Sequence, residues 1–134
     1  MSINGSSVNV DGTISVSGGT STDLALTGGP ALNELLTYLD DSSEFILRKS
    51  LLFSVVQPRV LASAPNGYTQ RRSKLVVQSP LALDNGNYTT NQIAVAAQFD
   101  VETTSAEAAT LIGIAAQCLY GSAFADFWAE QRVE

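Results

Sequence analysis

Arg71, Arg72 and Lys74 bring three of the chain's seven cationic side chains within four positions, in the stretch QRRSKLVVQS (70–79). Guanidinium and ammonium groups at this density suit a phosphate-bearing polymer, which they bind by neutralising charge. The same pattern is also typical of a solvated edge strand that positive charge protects from aggregation. Composition alone leaves both interpretations open, because the chain as a whole is acidic, with a net charge of −6.

The charges are divided sharply along the 134 residues. No acidic residue lies between Glu44 and Asp84. All thirteen acids lie outside that stretch, together with only one of the seven cations, Arg132. The middle therefore carries +6 and the remainder −12, from six cations inside it: Arg48, Lys49, Arg59, Arg71, Arg72 and Lys74. Such asymmetry within a small protein favours a polyanion partner at one surface.

Residue types that perform catalysis are scarce. The chain has no histidine, and its single cysteine, Cys118, falls in an apolar helical pattern where cysteine usually packs. The carboxylate pairs Asp40–Asp41 and Asp100–Glu102 fit a turn and the polar face of a strand. No phosphate loop, nucleophile elbow or metal-ligand spacing occurs. The sequence therefore predicts no enzyme, no cofactor and no metal site.

Size and composition indicate one folded domain over residues 1–134, with 45% hydrophobic and 15% charged residues. The lone cysteine excludes an internal disulfide. The N-terminus has neither the basic segment nor the apolar segment of a secretory signal, and no apolar run reaches membrane-spanning length. We expect a cytosolic protein without a membrane partner.

The first two thirds of the chain predict strands. VNVDGTISV (8–16) alternates around Asp11-Gly12 and indicates a hairpin, and TDLALT (22–27) alternates again. LNELLTYL (32–39) is ambiguous, because its leucines also have helical spacing. FILRKSLLFSVVQ (45–57) and YTQRRSKLVVQS (68–79), the latter ended by Pro80, should pair as a long antiparallel hairpin.

Alternation along these two long strands separates an apolar face from a mixed polar and cationic face. A loop at 83–91 then leads into a further strand, QIAVAAQFDVE (92–102). The mixed face contains Arg48, Ser50, Leu52, Ser54 and Val56 from one strand, and Arg72, Lys74, Val76 and Gln78 from the other.

The period changes to helical after residue 103. Thr104 and Glu107 form a capping box, Gly121 is placed as a C-terminal stop, and SAFADFWAEQ (122–131) predicts a second, short helix. Strands followed by helices predict an α+β fold in which two C-terminal helices cover one sheet face. Single helices bury poorly against the sheet of one copy, so we expect a two-fold dimer that exchanges helices.

Several stretches resemble a known family: SVVQP (54–58) followed by RRSKLVVQSP (71–80), and FDVETTSAEAATLI (99–112) leading into CLYG (118–121). With the chain length and the element order, they make the chain similar to the coat proteins of the leviviruses, the small single-stranded RNA bacteriophages. The resemblance implies an N-terminal β-hairpin, an antiparallel β-sheet and two C-terminal helices. It also favours a strand over the ambiguous 32–39.

The family's biology sets the functional expectations. The resemblance implies an intertwined two-fold dimer with one continuous sheet, and a T=3 icosahedral shell whose inner surface is the sheet on viral single-stranded RNA. It implies a virion component assembled in the cytoplasm of a bacterial host, and a dimer that binds an RNA hairpin to repress translation. The loop at 81–91 matches the one that contacts neighbouring dimers. The alternative is a dimeric RNA-binding protein that forms no shell.

The resemblance also places RNA contacts residue by residue. Leu52 and Val76 are apolar where family members are often polar or basic. The family's base-stacking tyrosine near the start of the last strand has no clear counterpart, with Tyr88 in the preceding loop and Gln92 near the strand start. The expected RNA-binding residues are Arg48, Ser50, Leu52, Ser54, Val56, Arg72, Lys74, Val76 and Gln78.

Overall fold

A computed structural model describes residues 5–12, 14, 16–19, 21–26, 33–39 and 44–131. Its contacts divide the chain into two compact units. One unit combines Met1–Gly18 with Glu102–Glu134 and contains the helices, and the other, Gly19–Val101, contains the sheet. The single domain over 1–134 stays a prediction.

The sheet is an antiparallel meander of five strands, each hydrogen-bonded to the next in chain order. This arrangement confirms the antiparallel sheet and the long hairpin, and it resolves the ambiguous segment as a strand. The strands are β1 (Leu24–Leu26), β2 (Glu34–Leu39), β3 (Ser50–Val56), β4 (Arg71–Ala82) and β5 (Tyr88–Phe99).

The first long strand is shorter than predicted. Phe45–Leu47 form a 3-10 turn, in which the Leu47 amide donates to the Glu44 carbonyl at 3.0 Å. The chain reverses direction between β2 and β3 through this apolar segment, so its hydrophobicity alone was a poor guide to strand structure. The strand therefore begins at Ser50 instead of residue 45.

The second long strand does not end at Pro80 but continues to Ala82. Since β3 begins at Ser50, which lies opposite Gln78, no β3 residue flanks Pro80, and proline is tolerated at such an edge. The following loop is also shorter than predicted. An Asn85-Gly86 turn closes it, with the Leu83 amide donating to the Asn87 carbonyl at 2.8 Å.

Two helices follow the sheet: α1 (Ser105–Tyr120), then, after a 3-10 turn, α2 (Ala125–Glu130). Thr104 caps α1, because its hydroxyl accepts from the Glu107 amide at 3.2 Å and donates to the Glu107 carboxylate at 3.0 Å. Gly121 ends α1 as predicted. Trp128 Nε1 donates to the Cys118 carbonyl at 2.8 Å and ties α2 to α1.

In the described part of the chain, no single helix is long and apolar enough to cross a bilayer. The two helical segments Ser105–Tyr120 and Ser122–Glu130 pass by length and composition only as a pair, and they are bent by 62°.

The N-terminal segment contains the predicted turn. The Gly12 amide donates to the Asn9 carbonyl at 3.2 Å, and Asp11 has φ +60°. The described residues around the turn are not in strands, and Thr13 and Ser15 lie outside the described residues. The segment is bound to α1 instead, since the Gln117 side chain both accepts from and donates to the Asn9 backbone at 2.8 Å.

Burial is low in the part of the chain that the structure describes. Among the described residues, Val76, at 9% exposure, is the only buried apolar side chain, and α1 contains no buried residue. Thr37 and Ser50 are the buried polar residues in the same part of the chain. A chain of this length normally encloses a substantial core, so much of its apolar surface remains uncovered in one copy.

Candidate nucleic-acid interface

The register between β3 and β4 decides which side chains share a face. Residues directly opposite each other in an antiparallel pair lie on the same side of the sheet. All eight strand residues predicted to contact RNA therefore lie together, on what we call the charged face. Its opposing pairs are Ser50–Gln78, Leu52–Val76, Ser54–Lys74 and Val56–Arg72, and β5 extends the rows with Gln92, Ala94, Ala96 and Gln98.

One end of the charged face is cationic. Arg72 and Lys74 are exposed, and neither side chain has a hydrogen-bond or ion-pair partner within the described residues. Ala96 lies opposite Lys74 and leaves space beside it. The result is a groove of about 240 Å³, lined in part by Ser54, Arg72, Lys74 and Gln98. It places positive charge and hydroxyl groups on one open surface, as a phosphate backbone requires.

The other end of the charged face is polar and contains a second groove of about 310 Å³. Arg48 precedes β3 and lines this groove with Ser50 and Gln78, so the ninth predicted residue joins the other eight. Tyr38, Pro80 and Thr90 also line it. The groove therefore combines a cation with an aromatic ring and several hydrogen-bonding groups.

A glutamine pair lies beside this second groove. Gln78 Nε2 donates to Gln92 Oε1 at 3.0 Å across β4 and β5. This bond leaves Gln78 Oε1 as an acceptor and Gln92 Nε2 as a donor on the pair. An acceptor beside a donor matches the donor–acceptor edges of nucleobases. Gln92 was not among the predicted contacts, although the alternation of β5 in register with β4 would have found it.

Tyr88 also lies on the charged face, not in the preceding loop as the sequence suggested. It is the first residue of β5, lies opposite Ala82 and has the same parity as Gln92. The side chain is 55% exposed. The Asn85-Gly86 turn closes the loop before Tyr88, which leaves an accessible aromatic ring near the start of the last strand.

The middle of the charged face is apolar. Leu52 lies opposite Val76, and Val76 lies opposite Ala94 on its other side. Val76 is 9% exposed, so its side chain offers little contact surface. These residues separate the cationic end from the polar end.

The opposite face, which we call the apolar face, is exposed as well. Phe53, Val55, Ile93 and Val95 are between 36% and 48% exposed. Arg71 points to this side, with its guanidinium 5.7 Å from the centre of the Phe99 ring. The clustered cations therefore divide between two faces, Arg71 on one and Arg72 with Lys74 on the other. The apolar face comprises Leu51, Phe53, Val55, Arg71, Ser73, Leu75, Val77, Ile93, Val95, Ala97 and Phe99.

Comparison with known proteins gives matches among solved structures only. No protein-family model and no curated protein matches the chain. The virus-like particle of bacteriophage GQ-907 matches with a TM-score of 0.87 and 27% identity, covering 99% of this chain and 100% of that one.

Two more distant matches show the same fold. The virus-like particle of bacteriophage AVE019 has a TM-score of 0.66 at 8% identity, over 88% of this chain and 92% of that one. The virus-like particle of Beihai levi-like virus 21 has a TM-score of 0.60 at 14% identity, over 89% and 93%. The chain therefore has the fold of levi-like bacteriophage coat proteins, and the resemblance predicted from its sequence is confirmed.

Proposed function

We propose that this chain is the coat protein of a levi-like RNA bacteriophage, a virion component that dimerises and closes an icosahedral shell around single-stranded RNA. The observation that carries the proposal is the match to a virus-like-particle subunit over 99% of the chain at a TM-score of 0.87. A structural role also agrees with a sequence that lacks the usual catalytic residue types. Assembly in the cytoplasm of a bacterial host is part of the proposal.

The proposed first step is an intertwined homodimer. The apolar face has Phe53 and Ile93 at 36% and 48% exposure, and α1 has Leu111 and Ile112 at 56% and 57%. These two sets of apolar side chains are complementary in chemistry, and water is an unfavourable environment for both. Helices of one copy packed on the apolar face of its partner would bury both sets, while leaving the charged face open.

RNA binding would then take place on the charged face. Arg48, Arg72 and Lys74 supply positive charge for phosphates, which gives affinity without sequence preference. The Gln78–Gln92 pair and Tyr88 supply hydrogen bonding and stacking, which discriminate between bases in unpaired RNA. Recognition of an RNA hairpin, with repression of translation, would depend on this second group.

The proposal is tested by expressing the full chain in bacteria, followed by gel filtration, electron microscopy and sequencing of the nucleic acid that copurifies. Uniform closed particles that contain RNA are the expected result. A soluble dimer that binds RNA without forming particles would favour the non-assembling RNA-binding protein instead. A monomer without RNA would refute both functions.

A further inference from the structure

The connection between β3 and β4, residues 57–70, is long for a hairpin, and several hydrogen bonds form within it. The Thr69 amide donates to the Arg59 carbonyl at 2.8 Å, and the Arg59 amide donates to Thr69 Oγ1 at 2.9 Å. Val60 and Tyr68 then form a β-bridge. We call residues 57–70 the hairpin tip, which is a small two-stranded extension of the hairpin.

Asn66 anchors the hairpin tip to the end of the sheet. Its Nδ2 donates to Asp100 Oδ1 at 2.7 Å, just past the end of β5. Its Oδ1 accepts from the Tyr68 amide at 3.1 Å. Both ends of one side-chain amide are therefore used to fix the position of the tip.

The anchored tip presents apolar side chains to solvent. Val60 is 78% exposed, and Leu61 and Tyr68 are each 47% exposed. Because Val60 and Tyr68 are directly opposite in a bridge, they lie on the same side of the tip. Fixed, contiguous apolar side chains at a protrusion are typical of an interaction surface.

A second copy of this chain is the partner that fits the tip. β4 separates the tip from the loop at 83–87 by twelve residues, about 40 Å of extended strand, so the two lie at opposite ends of the sheet. A closed shell needs contacts between copies on every side of a subunit. The family resemblance assigns such contacts to the loop at 81–91, and the similar solved structures are virus-like particles, in which many copies of a subunit contact one another.

Charge favours the same partner. The only charged residue in the hairpin tip is Arg59, and the tip contains no acid. Outside its cationic middle a neighbouring copy carries a net charge of −12, which would attract the single cation of the tip. We propose that the hairpin tip is a contact between neighbouring dimers, with Val60 and Tyr68 packed against a second copy of the chain. This inference rests on the proposed coat function.

The test compares two double variants of the full chain. Val60→Ser with Tyr68→Ser removes the apolar patch, and Val16→Ser with Tyr120→Ser makes the same chemical change at positions that are 93% and 77% exposed. The tip variant should form RNA-binding dimers with unchanged RNA affinity. It should assemble only at a protein concentration about tenfold or more above that of the control. Light scattering measures assembly, and gel filtration with circular dichroism verifies the dimer.

The possible failures are distinguishable. Equal assembly of the two variants would overturn the inference but not the proposed coat function. A tip variant that assembles normally but loses RNA affinity would also overturn it, since the tip would then be an RNA contact. Absence of particles from the unchanged protein would overturn the proposed function together with the inference. If the double tip variant does not yield dimers, Val60→Ser against Val16→Ser gives the same comparison.

Discussion

Replacing Arg72 with glutamine tests the assignment of the charged face most directly. Arg72 is exposed and lines the cationic groove, and its side chain has no protein partner within the described residues. The substitution should therefore leave the fold intact and remove a phosphate contact. RNA affinity should fall, and the dependence of that affinity on salt should become shallower, because fewer counterions are released on binding.

The size of the effect follows from the counterion relation. Each contact with single-stranded RNA contributes about 0.7 to the slope of log affinity against log salt concentration. A two-fold dimer has two copies of Arg72, so the variant should lower the slope by about 1.4. The RNA affinity of the unsubstituted protein, divided by that of the variant, should then fall about sevenfold between 50 and 200 mM salt, the range over which such slopes are compared. Adding Lys74→Gln should double the change in slope.

Arg71→Gln is the matched control, since it makes the same charge change one residue away on the apolar face, where Arg71 lies over Phe99. Fluorescence anisotropy of a short labelled RNA, titrated with dimer at four salt concentrations, gives both slopes. The control slope should equal that of the unchanged protein. Equal losses of slope in the two variants would refute the face assignment, and no loss in either would refute RNA binding by the charged face.

Three further predictions concern the caps, the helix pair and base discrimination. Thr104→Ala should lower the free energy of unfolding by about 1 kcal/mol, measured by urea denaturation, with the exposed Thr89→Ala as control. Trp128→Phe should cost about 1 kcal/mol by the same measurement, because it removes the bond to the Cys118 carbonyl while keeping an aromatic ring; an unchanged midpoint would show that this bond is not stabilising. Gln92→Ala should reduce selectivity among short RNAs without changing the salt slope, and retained selectivity would exclude a role in base discrimination.

The sequence was sufficient for most elements of the fold, because their signals are local. The period of two predicted the pairing of the long strands, and the Thr104–Glu107 box located the start of α1 correctly. The charged face followed from the same alternation, since a period of two fixes the side of each residue. The segment 32–39 was different, because its leucines have helical spacing although its length and its neighbours are typical of a strand, and the resemblance decided in favour of the strand.

Strand ends and the full extent of the site were less accessible from sequence. Pro80 lies inside β4 because β3 has no residue beside it, which is a property of the neighbouring strand and not of the local sequence. Tyr88 and Gln92 reach the charged face only through the register between β4 and β5, which the Asn85-Gly86 turn sets. The alternation within each strand does not give this register by itself, because it depends on where the turn that connects β4 and β5 closes.

The separation of charge along the chain has a consequence for assembly. Every copy carries a net −6, so copies repel each other, and salt weakens that repulsion by screening. The proposed RNA contacts would respond in the opposite direction, because Arg72 and Lys74 would attract phosphates most strongly at low salt. In the proposed coat protein, closure of an empty shell and capture of RNA would therefore depend on salt with opposite signs. At low salt the attraction of RNA for the charged face would offset the repulsion between copies, so that shells form preferentially around RNA.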